Sequence, residues 1–165
     1  MSLKIQHLLP ILGVLSLAAC AGEQNESSAS VSQCDSAGVA VTDAWAREAS
    51  AAGASAAYFE ICNGGDSADA LVGASFAGAA ATEIHETVTD ADGVMSMAPV
   101  ARVELPAGGS ATLKPGGAHV MLMGLTEDMA AEDTVELTLT FENAEPLTVS
   151  LDVRSLADAA THSGH

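Results

Sequence analysis

Basic residues are nearly missing from this chain. Five Lys and Arg stand against 22 Asp and Glu in 165 residues, and one of the five, Lys4, lies in a segment that export would remove. The remainder carries four bases against 22 acids, a net charge of −18 with histidine neutral. Nucleic acid is therefore excluded as an expected partner. The acids are spread along the chain, which describes a solvated, self-repelling surface and says little about the reaction or the fold. Internal repeats are absent, and no serine-histidine-carboxylate or paired-acid pattern is visible in the sequence; a binding protein is expected, with an enzyme whose site the fold assembles as an open alternative.

Long apolar runs are also scarce. The stretch from Leu8 through Ala19 is shorter than the roughly 20 residues a spanning helix needs. With Lys4 before it and no acid within it, residues 1–19 read as a secretion signal. It ends in Leu17-Ala18-Ala19-Cys20, which resembles the bacterial lipobox, so Cys20 is the expected site of lipidation. The expected location is the bacterial periplasm or cell envelope, held to a membrane by lipid. An ordinary cleaved signal with an incidental cysteine is the alternative. Small polar residues over 20–37 suit a flexible tether. A single domain is expected over 38–154, with a flexible tail over 155–165.

Cysteine is limited to Cys20, Cys34 and Cys62. Setting Cys20 aside leaves an even pair in an oxidising compartment, for which a Cys34–Cys62 disulfide is the natural reading. Closing that loop would contribute about 3 kcal/mol on the chain-entropy view. Two free thiols acting as soft metal ligands are the competing reading. No cysteine follows Cys62, which argues against a blue-copper electron carrier, because that site needs a thiolate close to its second histidine.

Short alternating runs separated by turn residues predict an all-β fold, an antiparallel Greek-key β-sandwich or barrel. Val39, Val41 and Trp45 are expected on one face of the first run, with Trp45 a core aromatic, and Ala57, Phe59 and Ile61 on one face of the second. Val135, Leu137, Leu139 and Phe141 pair as a hairpin with Leu147, Val149, Leu151 and Val153 across a turn at Asn143 to Pro146. Between Phe76 and Thr82 the alanines leave helix and strand open, and Glu127 to Glu132 suits a short helical turn.

The chemistry is concentrated between Ile84 and Gly124, where two histidines and four of the six methionines fall. Alternation puts His119, Met121 and Met123 on one face while Val120 and Leu122 point inward. Pro115-Gly116-Gly117 before them leaves His119 at a loop, partly exposed. Met95 and Met97 share a face across Ser96, and His85 ends a run whose Ile84 takes the opposite side. Asp90, Asp92 and Gly93 do not make an EF-hand, because the positions that would begin and end it are Val88 and Pro99. Asp92-Gly93 reads instead as the turn joining the His85 and Met97 strands. Imidazole and thioether donors favour soft Cu(I) over magnesium, calcium or manganese.

His85-Glu86, Asp92-Gly93-Val94-Met95-Ser96-Met97, Leu105 to Gly109 and Pro115 to Leu122 together resemble the periplasmic copper(I) chaperones called PCuAC. Trp45, Tyr58-Phe59 and Thr138 to Phe141 agree, so the resemblance covers about Val39 to Val153. It implies a cupredoxin-like fold and one Cu(I) bound by His85, Met97, His119 and Met121. It further implies a monomer that delivers copper to the CuA subunit of cytochrome c oxidase, directly or through a thiol-bearing assembly factor. Met95 and Met123 are accessory candidates, and His162 with His165 is a candidate for Cu(II) at the tail. Two departures stand out. Eleven residues rather than ten separate His85 from Met97, so either the turn absorbs one extra residue or the register shifts and neither Met95 nor Met97 serves. Cys62 is the other. An envelope lipoprotein with a structural or copper-storage and resistance role is the alternative function, and a copper enzyme stays open.

Overall fold

The computed structural model describes residues 38–155 and 157–158. Their regular structure is ten strands: β1 Val39–Arg47, β2 Ala54–Asn63, β3 Asp69–Ser75, β4 Ala79–Thr89, β5 Met95–Pro99, β6 Val103–Leu105, β7 Ser110–Leu113, β8 His119–Leu125, β9 Thr134–Phe141 and β10 Leu147–Arg154. They form one hydrogen-bonded path, β5-β4-β8-β2-β1-β10-β9-β3-β6, with β7 on the free half of β2. The first half of β2 pairs β8 and the second half pairs β7. All pairs are antiparallel except β1 with β10.

Alternation explains how this path encloses a core. Ala57, Phe59 and Ile61 of β2, Val120 and Leu122 of β8, Leu137 and Leu139 of β9 and Leu151 of β10 are at most 2% exposed and belong to one cluster. The β9–β10 hairpin has the expected register, with Leu137 opposite Val149 and Leu139 opposite Leu147. Inward side chains come from every strand but β5, which lies at the edge of the sheet and gives nothing to this cluster among the described residues.

Two sequence expectations change, and one open choice is resolved. The Val39–Val41–Trp45 face breaks because the β1–β2 register shifts between Thr42 and Trp45, with Asp43 at φ 52°. One extra residue in β1 reverses the alternation. Ala46 therefore enters the core, and Trp45 turns to the other face against Ala56 and Tyr58. The alanine-rich stretch is strand from Ala79, where Ala81 and Thr82 pair with Met123 and Leu122; cross-strand pairing overrides alanine's helical preference. Residues 127–132 form no helix. Met129 is 4% exposed in the core cluster and makes an isolated antiparallel bridge with Ala49, which holds the segment extended at that point.

Candidate metal centre

β4 lies between β5 and β8, and from Glu83 to Thr89 its odd-numbered side chains lie on the face opposite the core residue Ile84. His85 stands directly opposite His119, and Glu83 opposite Met121. On the other side of β4, Thr87 stands opposite Met97 and Thr89 opposite Met95. Directly paired residues share a face, as do residues two apart on one strand. His85, Met97, His119 and Met121 thus occupy one surface of three adjacent strands, on consecutive rungs. The two imidazoles have ring centroids 6.1 Å apart.

β4 and β5 pair without a bulge, so residues 90–94 of the turn set the spacing between His85 and Met97. Asp90 Oδ1 accepts hydrogen bonds from the Asp92 and Val94 amides, and Gly93 takes φ 81°. A positive φ at this place suits glycine. Pairing from Thr89–Met95 to His85–Pro99 is unbroken, so both hairpin methionines keep the face of His85.

His119 is 4% exposed, not partly open as its position beside a loop suggests. Its ring lies 6.2 Å from that of Tyr58 and beside His85, and these neighbours cover it. A carbonyl can only accept, so Nδ1–H of His119 donates to Gly117 O at 3.0 Å, which leaves Nε2 with its lone pair free for a ligand. The same carbonyl accepts from the Thr87 amide at 3.3 Å, tying the loop to β4. In His85 the roles reverse. Nε2–H donates to Glu83 Oε2 at 2.9 Å, and Nδ1 is buried without a hydrogen-bond partner. A buried polar atom without a partner costs roughly 1–3 kcal/mol, and a lone pair aimed into a protein surface is what a metal ion satisfies. Imidazoles steered by a carboxylate and by a backbone carbonyl match the usual outer support of metal-bound histidine.

No group of three or more His, Cys, Asp or Glu side chains that could hold an ion gathers among the described residues. Met121 and Met97 stand on the rungs to either side of the histidine pair, and imidazole with thioether is a donor set that suits a soft ion. Met121 packs against Trp45, Ala56 and Tyr58. The Trp45 and Tyr58 rings pack with centroids 4.5 Å apart and planes tilted by 36°, and the Arg154 guanidinium lies 5.3 Å from the Trp45 ring. Burial pushes the Tyr58 hydroxyl above its ordinary pKa, with the Arg47 charge opposing, so the phenol stays protonated and uncharged at physiological pH. Sequence patterning missed Glu83, Tyr58 and Trp45 as parts of the site. Glu83 was findable two residues before His85; Trp45 was hidden by the bulge.

Of the accessory candidates, Met123 is half-buried opposite Ala54 and Ala81, and Met95 is 70% exposed. Cys62 is disulfide-bonded. Cys20, Cys34, His162 and His165 lie outside the described residues.

The family described as "Putative lipoprotein LpqE-like" matches residues 39–153. "Putative lipoprotein Lxx21020" of Leifsonia xyli subsp. xyli (strain CTCB07) is 33% identical over 122 residues, covering 74% of this chain and 73% of its own. Among solved structures, the apo PCuAC domain from PmoF1 is 26% identical with TM-score 0.61, covering 74% of this chain and 98% of that one. The Cu(I) form of DR1885 from Deinococcus radiodurans is 30% identical with TM-score 0.52, covering 74% and 84%. The chain thus belongs to the LpqE-like family, and its all-β, cupredoxin-like fold is that of the PCuAC domains.

Proposed function

We propose that this protein binds one Cu(I) through His85, Met97, His119 and Met121 and passes it to a copper-accepting protein. The observation that carries the reading is the His85–His119 rung, with a buried, unpartnered Nδ1 on His85 and a methionine on the rung to either side. Four neutral donors hold a monovalent soft ion without fixing it, which suits delivery better than permanent storage. Thioethers also escape the disulfide chemistry of exported compartments. That a similarly folded protein, DR1885, has a Cu(I) form supports the choice of ion.

The lipoprotein names of the family and of its Leifsonia xyli relative support lipidation at Cys20 and a place in the cell envelope. The Cys34–Cys62 pairing belongs to the same proposal. By resemblance, the recipient is the CuA centre of cytochrome c oxidase, reached directly or through a thiol-bearing assembly factor. Anaerobic Cu(I) titration against a chromophoric chelator tests the ligand set. His119→Ala and Met121→Ala should each weaken binding by at least about tenfold, the lower end of what loss of a mere supporting partner costs. Unchanged stoichiometry and affinity in both variants would remove the assignment.

A further inference from the structure

Met95 and Met97 are 70% and 62% exposed, on the strand that contributes nothing to the core. Packing does not account for two long apolar side chains on one open face. Their place in the register does. Along the axis of β4 the rungs run Met123 at Ala81, Met121 at Glu83, His119 at His85, then Met97 at Thr87 and Met95 at Thr89. Six soft donors form a diagonal line across β8, β4 and β5. Neighbours in the line are opposite, diagonal or two apart on a strand, spacings of roughly 5–8 Å between Cα atoms. That is within the combined reach of adjacent methionine and histidine side chains.

Exposure changes along the line. His119 is 4% exposed and the His85 side chain 15%, against 62% and 70% for Met97 and Met95. The β4 residues beside the two outer methionines are threonines, so no bulky group separates them from the hairpin surface.

We propose that Met95 and Met97 form a second, transient Cu(I) subsite at the hairpin tip, through which the ion leaves and reaches the histidine pair. The inference rests on the Cu(I) reading above and names the route by which that site is loaded and emptied. Met97 belongs to both subsites and stays bound while the others exchange. On the way out a Cu–S bond to Met95 forms and the bonds to His85, His119 and Met121 break one at a time. The copper stays Cu(I), and no proton or electron moves. Two thioethers leave coordination positions open, which is where the acceptor's own donor would join before the methionines let go.

Stopped-flow transfer of Cu(I) from the loaded protein to bicinchoninate under anaerobic conditions, with equilibrium affinity measured in parallel, tests this. Met95→Leu keeps the exposed apolar volume and removes the sulfur. It should leave affinity within about twofold and slow transfer about tenfold, the effect expected when one donor is lost only from the exchange barrier. Equal transfer rates would overturn the subsite while leaving the Cu(I) reading intact. A tenfold loss of affinity would also overturn it, by placing Met95 in the resident ligand set. Failure of the wild type to retain Cu(I) would instead remove the parent reading, and the subsite with it.

Discussion

At the scale of single residues, the supporting groups around the histidines decide which lone pair is offered. Glu83 fixes the His85 proton on Nε2, so Glu83→Ala should lower Cu(I) affinity by about 10–100-fold. In the apo protein, nitrogen NMR should show His85 moving from one tautomer to a mixture. A single unchanged tautomer would show that the carboxylate does not position the ring. Asp69 plays a purely structural part. Burial raises its pKa, but hydrogen bonds from the Ala70, Asn143 and Ala144 amides and the Asn143 side chain outweigh burial and hold it below the ordinary value. A depressed carboxylate stabilises the fold fully above its unfolded value near about pH 4, and that stability is lost as pH falls through the lower folded value. Asp69→Asn should therefore cost about 2 kcal/mol at pH 7. Urea unfolding should show the gap narrowing as acid protonates the wild-type carboxylate. A gap independent of pH would contradict this account. The shared face of His119 and Met121 was the legible part of this scale, because His119-x-Met121 follows period-two alternation; Glu83 and Tyr58 matter only through neighbours that the fold supplies.

At the scale of elements, the β4–β5 hairpin carries half of the line of donors and depends on its turn for register. Asp90 Oδ1 accepts two backbone amides there, so Asp90→Ala removes the links that pin the tip. Hydrogen exchange of amides in β5 should accelerate by several-fold, for a local cost of about 1 kcal/mol. Cu(I) affinity should fall less than in Met97→Ala, since the sulfur remains. Unaltered exchange would mean that strand pairing alone sets the register. The hairpin was legible from Asp92-Gly93 and from methionines two apart. The bulge in β1 was not: nothing in Thr42-Asp43-Ala44 marks where one residue is added, yet that residue keeps Trp45 buried but moves it from the main core cluster to a second one, behind Met121. Nor did proximity to a loop foretell burial of His119, which comes from rings on two neighbouring strands.

At the scale of the whole molecule, a core gathered from nine of the ten strands supports a surface that is free to be functional. The Cys62 disulfide belongs to that support. Cys62→Ser should lower stability by about 3 kcal/mol if the bond closes the loop to Cys34, while Cu(I) stoichiometry stays at one. Loss of copper binding on this substitution would favour the reading of the thiols as ligands. The all-β class was legible because alternation and turns recur along the whole chain; the order of strands depends on distant pairings, such as β1 with β10, that no local pattern encodes. The central claim concerns the ion's immediate surroundings, and X-ray absorption at the copper edge of the Cu(I)-loaded protein reads them most directly. Mixed scattering from imidazole nitrogen and thioether sulfur, with sulfur reduced in Met121→Ala, is the expected result; a shell of nitrogen and oxygen alone would contradict it.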